Sequence, residues 1–211
     1  MIEDLVRRED RGLAAHDFKH VDRVRRLALA IAAREGYKSL EAIEAAALLH
    51  DVGLARAKDR RLHGEIGANI AAAFLLRNSL FSATVIEDIA GAVRNHNSSG
   101  PVRDKLSAII RDADILDLLG AVGVMRAFIS KSSLLDYDSG NIKGKTWKKR
   151  AAYYDQRLDG GLAIGESIVD QINFQISRAE KLTTITAKKI GGRLVRFMKD
   201  YLEQLEAEVD R

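Results

Sequence analysis

An all-α fold is predicted by three observations. Apolar residues recur at three- and four-residue spacing along almost the whole chain, no run shows the two-residue alternation of a strand, and there is a single proline. With 211 residues and 46% apolar content, the chain can bury a sizeable core, as one large domain or as one domain with an extension.

The spacing predicts helices near residues 18–35, 39–51, 63–77, 83–96, 103–118, 121–131, 147–170 and 178–208. Asp17 is placed to cap the first of these and Gly36 to end it; Ser39 is placed to cap the second and Gly53 to end it. The stretch NSSGP, 97–101, reads as a loop. Composition shifts at DYDSGNIKGKTWKKR, 136–150, where glycine, polar residues and lysine gather. This divides the chain into a helical core, 1–135, and a carboxy-terminal helical extension, 136–211, expected to pack on it.

Within that stretch, SGNIKGKT is one glycine short of a phosphate-cradling G-x-x-x-x-G-K-T loop. Such a loop works after a buried parallel strand. KSSLLDYD does not read as one, so the segment is expected to be a linker, with lysines 143, 145, 148 and 149 available to an anion.

Composition removes several function classes. The absence of cysteine excludes disulfides, thiolate metal sites and a cysteine nucleophile. Neither a membrane span nor a signal segment is indicated, so a cytoplasmic protein without membrane contact is expected. The net charge is +4, with 34 basic residues nearly balanced by 30 acidic ones. That balance reads as a solvated mixed-charge surface rather than a nucleic-acid groove, and leaves small anions as partners; self-association stays open.

The histidines carry the chemistry. All five lie in the first half, at 16, 20, 50, 63 and 96. Counting by turns, His20 continues the stripe Val24, Leu27, Ile31, and His50 ends the apolar run ALLHDVG beside Asp51. His63 opens Ile66, Ile70, Phe74, His96 closes Ile86, Ile89, Val93, and Asp114 and Asp117 follow Ile110. A single such histidine is commonly a core residue bonded to a carbonyl. Five successive helices each turning an ionisable group inward call for compensation, which a metal ion held between helices provides.

KHVDRV, ALLHDVG and RDADILDLLGAVG together resemble the HD superfamily of metal-dependent phosphohydrolases, over roughly residues 16–130. The resemblance implies an HD-type helical bundle with metal ligands at His20, His50, Asp51 and Asp114, and hydrolysis of a small phosphorylated substrate, above all a nucleotide, by metal-activated water. A site of nitrogen and oxygen donors suits Mn, Fe, Co, Ni, Zn or Mg. His63 and His96 resemble positions of extra histidines in two-metal members. They are expected either to bind a second ion bridged through Asp51, or to serve substrate, His96 orienting phosphate or water and His63 lining the pocket. The double-histidine and Gly-Tyr-Pro motifs of cyclic-dinucleotide phosphodiesterases are absent.

Around the metal ligands, Arg23 is a candidate to pair with phosphate or with Asp117, and Lys58 to collect the anion together with Arg60 and Arg61. Asp112 and His16 are read as supporting groups only. A ligand-sensing module without turnover is the alternative reading.

Overall fold

The computed structural model describes residues 1–10, 16–98, 100–102 and 104–209. Among these the chain is all-α: ten α-helices, three short 3₁₀ turns and no strand beyond two isolated bridges. In order, the helices are α1 (Ile2–Glu9), α2 (Phe18–Arg34), α3 (Leu40–Leu49), α4 (His63–Arg77), α5 (Ala83–Asn95), α6 (Lys105–Asp117), α7 (Gly120–Ser130), α8 (Ala151–Asp159), α9 (Ile168–Arg178) and α10 (Ile185–Val209). Ser99 of the expected loop, and Arg103, expected to open the fifth helix, lie outside the described residues.

The structure forms two compact units. The first comprises Met1–Asp114 and Thr183–Ala187. Its core is Val24, Ala28 and Ile31 of α2, Ile43, Ala46, Ala47 and Leu49 of α3, Ala68, Ala71 and Leu75 of α4, Ile89, Ala92 and Val93 of α5, and Ile109, Ile110 and Ala113 of α6. Asp17 caps α2 as expected, its side chain accepting from the His20 amide, and Gly36 leaves that helix at φ 67°. Ser39 makes no side-chain cap bond. The short return segment 183–187 belongs to this unit because buried Asp112 accepts from the Thr183 and Thr184 amides at 2.9 and 2.7 Å, and Glu35 from the Thr186 amide at 2.8 Å.

The buried stripe of α4 is not the expected Ile66, Ile70 and Phe74, which are half-buried, but Gly64, Gly67, Ala68, Ala71 and Leu75. Small residues win because backbones meet here. A Cβ on Gly53 would lie 2.3 Å from the His63 carbonyl oxygen and 2.4 Å from the Gly67 amide, and one on Gly64 2.5 Å from the Arg94 carbonyl oxygen. Gly53 has ordinary helical φ, so it is required by contact and not by conformation. These approaches set the ends of α3, α4 and α5 side by side.

The second unit comprises Ile115–Leu182 and Lys188–Arg211, built on α7 and α8 packed against α9. Here the expected helix over 147–170 is broken: α8 stops at Asp159, Gly160 and Gly161 follow with Gly161 at φ 69°, and α9 starts only at Ile168. The start of α9 is a capping box, with Ser167 accepting from the Asp170 amide at 3.1 Å and Asp170 accepting from the Ser167 amide at 3.3 Å. The loop before α8 is tied to the same carboxylate, which accepts from the Thr146 amide at 3.0 Å and its hydroxyl at 2.7 Å. Lys143 and Lys145 pair with Glu206 and Glu166. SGNIKGKT is thus a structural turn, following an isolated bridge and not a strand.

Burial alone would raise the Asp170 carboxyl, but the bonds from Thr146, Glu166 and Ser167 outweigh it and hold it below the usual 3.8. Its contribution to stability is therefore present at neutral pH and is lost as pH falls below 3.8 through the depressed folded value. Asp170→Asn is expected to lower stability at pH 7 by roughly 1–3 kcal/mol, the cost of unmaking bonds to a buried carboxylate. In thermal melts the gap to wild type should close in acid; a gap constant with pH would refute this.

Candidate metal centre

Six ionisable side chains converge in the first unit. His20 stands in the first turn of α2, and His50 and Asp51 on the turn that ends α3. His63 opens α4, His96 follows α5, and Asp114 lies on α6. His20 and His50 are fully buried, His63 and His96 nearly so, whereas the Asp114 side chain is 25% exposed and marks the open side.

The Nε2 atoms of His20 and His50 lie 3.1 Å apart, and each is 3.5 Å from Asp51 Oδ2. Asp114 Oδ1 is 3.5 Å from His20 and 4.0 Å from His50. On the other side, His63 Nε2 and His96 Nε2 lie 3.0 Å apart, at 3.2 and 3.4 Å from Asp51 Oδ1. One carboxylate thus turns one oxygen to each pair of imidazoles.

Tautomers follow from the backbone. Nδ1–H donates to a carbonyl in three of these rings: His50 to Ala47 at 2.8 Å, His63 to Arg60 at 2.6 Å and His96 to Val93 at 2.7 Å. Asn97 Nδ2 also stands 3.1 Å from His63 Nδ1, whose proton is committed to the Arg60 carbonyl. In the neutral rings of His63 and His96 both Nε2 atoms then carry bare lone pairs, 3.0 Å apart. Such an arrangement is repulsive without a cation between them.

A divalent ion fits. Two donors at right angles, each about 2.1 Å from one ion, stand about 3.0 Å apart. Both imidazole pairs have that spacing, with a carboxylate oxygen facing each, and the described residues form three overlapping groups able to hold metal: His20, His50 and Asp114; Asp51, His63 and His96; and His16, His20 and Asp51.

Electrostatics agree with a site built for positive charge. Burial pushes the His50 imidazolium down to about 4 against the pull of Asp51 and Asp114. For His96, burial is outweighed by the bond to and charge of Asp51, leaving it raised. Burial would raise Asp51, yet the charge of His50 and the bonds from His16 and His20 hold it well below the carboxylate range. Asp114 is likewise lowered, burial being overcome by His50 and His20.

A family model for the HD domain matches residues 17–119, the span that carries these six side chains. Residues 17–119 form an HD domain. Solved HD-superfamily hydrolases share the chain's fold over nearly their whole length. One from an uncultured Thermotogales bacterium is 25% identical at a TM-score of 0.65, covering 98% of this chain and 90% of its own. Another, from Bacillus thuringiensis, is 21% identical at 0.65, covering 99% and 96%. Bacillus subtilis YpgQ, solved in complex with ADP, is 22% identical at 0.68, covering 100% and 95%. A search among curated proteins finds no match.

In this HD domain His16 stands closer to the centre than a position outside α2 suggests. Its Nδ1–H donates to Asp51 Oδ2 at 2.9 Å, while the Arg60 guanidinium donates to its Nε2. Because arginine only donates, the imidazole is fixed with its proton toward Asp51. The cue in the sequence was the spacing of one helical turn before His20. Beside it, a cavity of about 30 Å³ lined by His16, Asp51, Asp10 and Phe18 has room for water. Arg23 is half-buried one turn beyond His20. Lys58 is exposed and, among the described residues, has no side-chain partner; Arg61 is occupied with Asp59. Asp112 is directed to the 183–187 segment, and Asp117 pairs with Arg126 at 2.6 Å in the second unit.

Proposed function

We propose that the chain is a metal-dependent phosphohydrolase in which His20, His50 and Asp114 would hold one divalent ion and His63 and His96 a second, with Asp51 facing both, and that it cleaves a phosphate ester or anhydride of a small phosphorylated substrate, a nucleotide in the first instance. The observation that carries this reading is the Asp51 carboxylate, with one oxygen facing the His20–His50 pair at 3.5 Å and the other facing His63 and His96 at 3.2 and 3.4 Å. Bound divalent ions would acidify a water and polarise the phosphoryl group. Mn, Fe, Co, Ni, Zn and Mg all suit such donors.

The protein's own groups then have distinct tasks. Backbone carbonyls at Ala47, Arg60 and Val93 fix three imidazoles in the tautomer that presents Nε2 inward. His16 orients Asp51 through Oδ2. Asp114, the most exposed of the acidic and imidazole groups at the centre, completes the His20–His50 side where substrate enters. Arg23 and Lys58 serve the phosphate by charge.

A phosphate-release screen over nucleotides and phosphate esters, ADP among them, with each metal added separately tests this reading. Metal-dependent turnover of at least one class is expected. Saturable nucleotide binding with no phosphate release under any metal would support the sensing module instead.

A further inference from the structure

The outer face of α10 is charged in two blocks. Lys188, Lys189, Arg193, Arg196 and Lys199 occupy its first half, and Asp200, Glu203 and Glu208 its second, all exposed. An exposed helix face usually reads as solvated surface with mixed charge. Here the arrangement opposes the helix itself: no acidic residue lies in the first turn and no basic one in the last, the reverse of what the macrodipole favours. Internal pairing does not account for it either. Among the described residues, Arg193, Arg196, Asp200 and Glu203 have no ion pair or hydrogen-bonded side-chain partner, although Arg196 and Asp200 stand one turn apart.

The positions supply a reason. Residues 189, 193, 196, 200, 203 and 207 advance in alternating steps of four and three and so share one stripe of the helix, basic in its first half and acidic in its second. Set a second copy antiparallel with its twofold axis level with Met198. Arg193 then faces Glu203 of that copy and Arg196 faces Asp200, each pair occurring twice by symmetry. Phe197, 46% exposed, lies on one flank of this stripe and adds apolar area beside the centre. A Cβ on Gly192 would meet nothing within 4 Å, so no side chain props the two helices apart at that point.

We propose that the outer face of α10 is a self-association surface, which pairs antiparallel with the same face of a second copy through Arg193–Glu203 and Arg196–Asp200 contacts. Exposed ion pairs are individually weak and screened by salt, so the pairing is reversible and strongest at low ionic strength. It is independent of the catalytic reading and is tested without any activity measurement.

Sedimentation velocity over a range of protein concentrations should show a concentration-dependent dimer at low salt that dissociates at high salt. Arg193→Glu/Arg196→Glu in one chain and Asp200→Arg/Glu203→Arg in another should each be monomeric alone and form a one-to-one dimer when mixed, since mixing restores every opposite-charge contact. That recovery also demonstrates that both variants are folded. A wild type that stays monomeric in both salts, or variants that self-associate unchanged, would overturn the proposal. So would a monomer that instead binds a DNA duplex or anionic phosphatidylserine vesicles through the two arginines.

Discussion

Asp51→Ala is expected to lose bound metal and phosphate release together, with a fall in rate of about 10³-fold or more. Among the described residues, Asp51 is the carboxylate that lies within 3.5 Å of both imidazole pairs. Its Oδ2 lies 2.9 Å from His16 and 3.5 Å from His20 and His50, and its Oδ1 lies 3.2 and 3.4 Å from His63 and His96. Removing it leaves clustered nitrogen donors with no anionic partner between them. Asp51→Asn keeps the volume but not the charge and should behave alike in elemental analysis, separating ligand loss from a collapsed core. His50→Ala should follow the same pattern. Normal metal content and turnover in these variants would refute the metal-hydrolase reading, whereas a modest gain in stability would be compatible with it, since relieving buried polar groups can stabilise a fold.

Replacing both His63 and His96 by alanine is expected to lower the metal content from two ions per chain toward one. These two rings commit Nδ1–H to the Arg60 and Val93 carbonyls and face each other through Nε2 at 3.0 Å, the geometry that most needs a cation. The rate should fall by about 10²-fold or more, as is usual for loss of a charge-stabilising group at a reacting centre. The His20–His50–Asp114 side should keep its ion. One metal per chain in the unaltered protein under metal-replete conditions, with occupancy indifferent to the double change, would leave the mononuclear site and return these histidines to the substrate.

The convergence of His20, His50, His96 and Asp114 was legible because helical phase places each on the inward side of its own segment, and phase survives an error of a residue or two in helix bounds; His63 is buried at the start of α4 although the stripe it was expected to open is not the buried one. The resemblance of KHVDRV, ALLHDVG and RDADILDLLGAVG to the HD superfamily then gave chain order. What was not legible depends on distance in sequence. The ends of α3, α4 and α5 are brought side by side by the approach of Gly53 to the His63 carbonyl oxygen and of Gly64 to that of Arg94, and no local pattern announces a backbone contact. Large apolar residues drew the α4 stripe to Ile66, Ile70 and Phe74, whereas glycine and alanine lie innermost because they admit the neighbouring backbone. Other signals were present and passed over. Ser167 and Asp170 spell a capping box inside what reads as continuous helix, and α1, with Glu3 and Asp4 in its first turn and Arg7 and Arg8 in its last, carries the charge order of a helix.

The return of Thr183–Ala187 to the first unit bears on how the protein is made. During synthesis, Asp112 emerges well before the Thr183 and Thr184 amides it accepts from, and Glu35 still longer before Thr186. At ~5–20 residues per second, completing the stretch from 112 to 187 takes roughly 4–15 s. Throughout that interval the nascent chain holds every histidine of the centre but lacks the donors that satisfy the buried Asp112 carboxylate. The HD unit therefore closes late, after most of the second unit has left the ribosome, and a chain released early retains its metal-binding residues in an unfinished fold.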